Sequence, residues 1–168
     1  FASDITAQKQ RNADYEGQIT AINKSQAVIE FDLEGNILNA NENFLAAMGY
    51  SLSEIKGQHH SMFVDPSYKL SAEYAAFWQS LKAGEHSEGE YKRIAKGGRE
   101  IWIRASYNPI FDSSGKPFKV VKFATDVTQD KLKNAYFEGQ INAISKSQAV
   151  IEFDVDGTII TANDNFLN

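Results

Sequence analysis

At 168 residues, with 42% hydrophobic and 12% aromatic side chains, the chain has material for one well-packed domain plus appendages, not for two full domains. A net charge of −5 without long like-charge runs excludes a nucleic-acid or anionic-membrane surface as the main partner, because no basic stripe is present to hold phosphates. Zero cysteines exclude disulfides, thiolate metal sites and cysteine nucleophiles and suit a reducing, cytoplasmic compartment, while no apolar run approaches the roughly 18 residues that cross a bilayer and no signal peptide is recognisable.

The chain opens with FASDIT, and FATDVT returns 122 residues later at Phe123; continued in register, the two passages are identical at 29 of 46 positions. A period of that length is a domain rather than a solenoid unit. The sequence therefore reads as a slice through an array of similar domains. Residues 1–6 are the end of a preceding unit's last strand, 7–25 a linker helix, 26–126 a complete domain, 127–147 a second linker helix and 148–168 the start of a following unit. That last piece has two strands and a helix start with no sheet of its own, so it is expected to be disordered or to borrow pairing from another chain.

Both linkers carry helix signals. Thr6 and Thr128 are N-cap residues, and apolar side chains recur at three and four in Tyr15, Ile19, Ile22 and in Phe137, Ile141, Ile144. Gly17 and Gly139 each cost about 1 kcal/mol relative to Ala. Packing must compensate, either onto the helix's own domain or in a dimeric pair. AVIEFD, then LEGN, then ILNAN reads as a hairpin turning at Gly35, with Val28, Glu30 and Asp32 on one face and Ile29 and Phe31 on the other. Short helices follow: one through Phe44, Leu45 and Met48 stopped by Gly49, one capped at Ser51 or Ser53 and stopped by Gly57. Ser67–Ala83 reads as one amphipathic helix through Leu70, Tyr74, Phe77, Trp78 and Leu81, ended by Gly84. The period then drops to two. Three strand runs are separated by KGGR and DSSGKP; Ile101, Ile103, Ala105 and Tyr107 alternate with Trp102, Arg104 and Ser106, and Val120, Lys122 and Ala124 alternate with Val121 and Phe123. Pro109 breaks the ladder and implies a bend or bulge. The result is an α+β fold: a five-stranded antiparallel sheet, helices inserted between strands 2 and 3, and flanking linker helices.

That order, with EFDLEGNILNANENFLAAMGYSLSEIKG, FW before KAGE, and EYKRIAKGGREIWIRASYNPIFDSSGKPFKVVKFATDVT, resembles the PAS sensory-domain family over about 26–128. More narrowly it is similar to the tandem PAS arrays of bacterial methyl-accepting chemotaxis and aerotaxis receptors. The resemblance implies a sensor whose ligand or cofactor sits between sheet and helices and biases the exit helix. The final Asp126-Val127-Thr128 looks like the family's strand-to-helix signalling element, with Asp126 and Thr128 as its residues; the plain alternative is a helix cap.

Trp78 stands where flavin-binding relatives carry a tryptophan, which makes FAD a candidate cofactor, although GEHSEG replaces the second tryptophan of some of them. As a residue it is equally a core aromatic. His59 and His60 invite a haem reading, but as adjacent residues they point apart, so at most one ligates; His59 is taken as the candidate, and His86 as solvated. Asn43, Tyr50, Tyr74, Tyr107 and Asn108 are candidates for polar contacts in the cavity, and Trp102 for packing under a linker helix or a dimer contact. A domain with no cofactor, its core simply filled, stays open. No nucleophile elbow, phosphate loop or paired-histidine motif is present, so the chain is expected not to be an enzyme and no metal site is assigned. The implied role is a signal-input module, homodimeric through its linker helices, beside neighbouring PAS repeats and a downstream chemotaxis signalling domain; the alternatives are a ligand-free dimerisation relay or the input of a histidine kinase or cyclic-dinucleotide enzyme.

Overall fold

The structure, a computed structural model, describes residues 2–168, with side chains from Ile5 onward. It divides into two compact units, 1–127 and 128–168. In the first, helix α1 runs Ala2–Ser25. The strand end read into FASDIT is therefore helical from Ala2, and Phe1 lies outside the described residues. The physical reason is that a strand without a neighbour leaves its backbone groups unpaired, whereas a helix closes its bonds internally.

Strands β1 (Ala27–Phe31), β2 (Ile37–Ala40), β3 (Ser87–Ile94), β4 (Glu100–Phe111) and β5 (Pro117–Asp126) form an antiparallel sheet in the order β2-β1-β5-β4-β3. The first and last strands of the unit thus lie side by side, and β5 is central. The alternation holds in three dimensions: Ile29, Phe31, Val120, Lys122, Ala124, Ile101, Ile103, Ala105 and Tyr107 are buried on one face. Register sets Lys122 between Ile29 of β1 and Tyr107 of β4. The β4–β5 register slips between Ile110 and Phe111, one residue beyond Pro109.

Helices cover that face. α2 (Glu42–Met48) is capped by Asn41, and Gly49 ends it at φ +75°. α3 (Leu52–Ile55) carries a capping box from Ser51 and Glu54, and a 3-10 turn spans His60–Phe63. The single helix expected over 67–83 is instead two: α4 (Pro66–Lys69) and α5 (Ala72–Lys82). Ser71 interrupts it because its hydroxyl accepts from the Tyr74 N–H at 3.1 Å and caps a new helix. Leu70 falls in the break and is 85% exposed, outside the core stripe.

The second unit holds α6 (Thr128–Ser147), strands β6 (Ile151–Phe153) and β7 (Ile159–Ala162), and α7 (Asp164–Leu167). β6 and β7 pair with each other as a hairpin, so this segment is neither irregular nor dependent on a borrowed strand for its ladder. Among the described residues no helix is long and apolar enough to cross a membrane.

Candidate functional site

The inner sheet face and α5 meet over a polar centre inside an aromatic core. Tyr74 and Trp78, one turn apart on α5, are both buried. The turn before α4 delivers His60: its N–H donates to Gly35 O at 2.8 Å, and Asn36 bridges to His59, which pins the turn to the β1–β2 hairpin. Gly35 is required there. Its φ is +89°, and a Cβ would stand 2.7 Å from His59 Nε2 and 3.0 Å from the Trp78 ring.

His60 is fully buried between two phenols. Its Nδ1 shares a hydrogen bond with the Tyr74 hydroxyl at 2.9 Å, and its Nε2 another with the Tyr107 hydroxyl at 3.0 Å. The Tyr107 oxygen also accepts from Arg93 Nη2 at 3.0 Å, while Arg93 Nη1 donates to Lys92 O at 2.8 Å. Lys122 Nζ lies 4.9 Å from the Tyr107 ring centre and 5.7 Å from that of Phe44. Among the described residues the buried polar or charged side chains are His60, Arg93 and Lys122; no aspartate or glutamate is buried with them.

The electrostatics follow from that imbalance. Burial, reinforced by Lys122 and Arg93, holds the His60 imidazole well below 6.5, so it is neutral at pH 7. Burial, and then Arg93, drives Lys122 well below 10.5. Burial raises both phenols, Tyr74 to about 12. The Trp78 indole N–H sits toward the Tyr74 hydroxyl without meeting hydrogen-bond geometry, and with Arg93 Nε–H it is a buried donor that has no acceptor.

The expected site residues separate into two groups. Trp78 and Tyr74 belong to the cluster. His59 borders it, with ring centres 6.0 Å from Trp78 and 6.4 Å from Tyr74. Asn43 does not: its exposed side chain donates to Asn23 O at 3.0 Å, Lys24 O at 3.3 Å and Gln26 O at 3.2 Å, closing the carbonyl end of α1. Asn108 lies on the opposite sheet face, bonded to Ser106 Oγ and Val121 O, because it alternates out of phase with Tyr107. Tyr50 packs on Phe63 and under Lys96. Asp126 ends β5 opposite Ile103, and Thr128 begins α6. Sequence reasoning missed Arg93 and Lys122. The available signal was phase: Lys122 alternates with buried Val120 and Ala124.

Residues 37–124 match the family described as PAS fold. The chain belongs to the PAS-fold family. It is 44% identical over 149 residues to the biofilm dispersion protein BdlA of Pseudomonas aeruginosa, covering 89% of this chain and 36% of that protein. It is 34% identical over 101 residues to the aerotaxis receptor of Escherichia coli, covering 60% of this chain and 20% of that one. This PAS chain thus spans about a third or less of the curated relatives it matches. A crystal structure of the PAS domain of a Colwellia psychrerythraea protein superposes with TM-score 0.59 at 22% identity, over 68% of this chain and 98% of that one, a likeness of fold.

The two candidate cofactors fare differently against this PAS core. Haem needs an imidazole nitrogen with a free lone pair. His60 has both nitrogens on tyrosines, and His59 has Nε2 on Glu34 O at 2.9 Å and Nδ1 accepting from the Ser61 N–H at 3.1 Å. Neither His59 nor His60 fits an axial role. A flavin fits by donor chemistry, since its carbonyl oxygens are acceptors of the kind Trp78 Nε1–H and Arg93 Nε–H lack. Bound there, it would supply redox chemistry.

Proposed function

We propose that the PAS domain is a signal-input module of a chemoreceptor-like protein, which senses a redox, gas or small-molecule cue and passes its state through α6. The observation that carries this reading is where the donor-rich cluster stands. Lys122 and Tyr107 sit on the neighbouring strands β5 and β4, and β5 runs on to Asp126. The Val127 N–H donates to Trp102 O at 2.8 Å, so the same two strands hold the departure point of the exit helix. A change at the cluster then acts on the register of one strand pair. Kinship with an aerotaxis receptor and a biofilm dispersion protein supports an input of this kind, and of the two candidate cofactors the donors suit FAD rather than haem. Catalysis is no part of the reading.

Dimerisation through the linker helices belongs to the same proposal. Tyr15 and Ile19 make an exposed apolar stripe on α1, and Phe137 and Ile141 make another on α6, all more than half exposed; each is a stripe that a second copy would cover. One observation favours the ligand-free relay instead: Phe31, His60 and Phe77 pack against Trp78 with ring centres 5.4 to 5.8 Å away, filling the space in which an occupant would lie. Absorbance and mass spectrometry of the purified 168-residue chain separate the two. The sensor reading expects a stoichiometric occupant, coloured if a flavin, whose removal alters the fold's exchange behaviour. A folded chain that carries no occupant and responds to none supports the relay.

A further inference from the structure

The cluster's hydrogen-bond inventory is unbalanced in one direction, and the imbalance names the chemistry of what is missing. Three bonds link Arg93 Nη2, the Tyr107 hydroxyl, His60 and the Tyr74 hydroxyl in a row. With a neutral imidazole that row contains four hydrogens: one on Arg93, one on each phenol and one on the ring. Three bonds use three of them. Whichever tautomer His60 takes, one tyrosine hydrogen is left without an acceptor. Trp78 Nε1–H and Arg93 Nε–H are two further buried donors in the same state. Each orphan carries the desolvation cost of an unmade bond.

Charge is unbalanced in the same sense. Arg93 is buried and, as a guanidinium, keeps its proton. Lys122 is buried on the adjoining stretch of the same face, and no carboxylate of the described residues is buried with either. A protein interior tolerates unpaired cations poorly unless something else completes them. Everything the cluster lacks is an acceptor, and its excess is positive.

We propose that this cluster takes an anion, a small molecule presenting carboxylate or phosphoryl oxygens to Arg93 and Lys122, the two cations that flank Tyr107. This rests on the reading of the domain as a ligand-responsive input module and specifies the ligand's class. Charge-assisted bonds from a guanidinium to such oxygens are the strong, directional kind. Phe77 borders the cluster, partly exposed and packed edge-on to Tyr107 at 4.9 Å.

The test uses the 168-residue chain, freed of any occupant by unfolding and refolding. Thermal unfolding and Trp fluorescence are followed during titration with potassium phosphate and, separately, with sodium succinate, at constant ionic strength set by potassium chloride. The expected result is a saturable rise in melting temperature with at least one of the two, weakened about tenfold or more in Lys122→Met and in Arg93→Gln. The two probes distinguish a phosphoryl from a carboxylate preference. Lys122→Met is nearly isosteric, so its folding is checked by circular dichroism, and the exposed-site control Lys69→Met keeps the full response. Mass spectrometry of the untreated chain identifies whatever it carries. A neutral occupant, or an occupant indifferent to Lys122→Met, overturns the anion and leaves the sensor reading standing. A folded chain with no saturable response to either probe overturns the anion, and one that also carries no occupant supports the relay.

Discussion

Removing the ammonium of Lys122 should stabilise the empty domain, against the usual outcome of core substitution. Lys122 is fully buried at the middle of the sheet, between Ile29 and Tyr107, without a buried carboxylate. The folded state either keeps an ammonium in the core or gives up its proton. Lys122→Met preserves the stem, deletes the charge and fills nearly the same volume. Replacement of buried ionic groups by apolar ones of similar volume stabilises proteins by up to ~4 kcal/mol, so we expect a gain of about 1–4 kcal/mol at pH 7. For a domain of this size that is a rise of at least about 4 °C in melting temperature. The pH dependence separates this cause from better packing. Because the folded-state pKa of Lys122 lies below its ordinary 10.5, the unfolded chain binds more protons between those two values. Stability therefore rises with pH across that window, with a slope of at most about 1.4 kcal/mol per unit. The buried tyrosines act oppositely above pH 10, where the unfolded chain ionises first. Urea unfolding in phosphate-free buffer from pH 7 to about pH 9.5 should show the rising slope in the parent and a flatter one in Lys122→Met. A loss of more than about 1 kcal/mol in the variant, with the slope unchanged, would refute the reasoning.

Four other outcomes are expected. Tyr107→Phe strips a partner from both His60 Nε2 and Arg93 Nη2 and should cost about 1–3 kcal/mol by urea unfolding, although it deletes one oxygen. Gly35→Ala combines a positive φ with a 2.7 Å approach to His59 and should cost more than about 2 kcal/mol, whereas Gly115→Ala, at φ +79° in open space, should cost only the conformational part, about 1–2 kcal/mol. Asn41→Ala loses acceptance from the Val28 and Phe44 N–H groups at 2.9 and 3.0 Å; about 1–3 kcal/mol is expected, and Asn163→Ala should weaken the second unit likewise through Val150 and Phe166. Glu54, held at about 2 by Lys96 and then Ser51, contributes stability that is present above pH 4.5 and lost as pH falls toward 2; Glu54→Ala should remove that acid limb from the stability profile.

The sheet was legible because its patterning is strict. From Ile101 to Tyr107 every second residue is buried, and turn glycines punctuate the strands. Strand order is a different kind of fact. The pairing of β1 with β5 brings residues about ninety apart together, which no local pattern encodes. The long helix failed at Ser71, where a serine able to bond two residues' worth of backbone outweighed an apolar stripe that ran through Leu70. At the site, the aromatic members declared themselves by spacing on α5, but the cations did not, because lysine and arginine on a strand are ordinarily assigned to solvent. Phase contradicted that habit for Lys122, and it equally placed Asn108 outside with Arg104 and Ser106. Asn43 had its signal in the repeat: Asn41 and Asn43 recur as Asn163 and Asn165, and both pairs close the carbonyl end of the preceding helix. Which of two adjacent histidines enters the core depends on a 3-10 turn whose phase the sequence does not advertise.

The central claim is that the state of the buried cluster is felt where β5 ends. Hydrogen exchange resolved at the Val127 amide, which donates to Trp102 O, compares the parent chain with Tyr107→Phe and with Lys122→Met. These substitutions are expected to change protection at Val127 and in the first turn of α6 relative to β3, and in opposite directions for the two variants. Changes confined to α5 and the His60 turn, with Val127 and α6 unmoved, would contradict it.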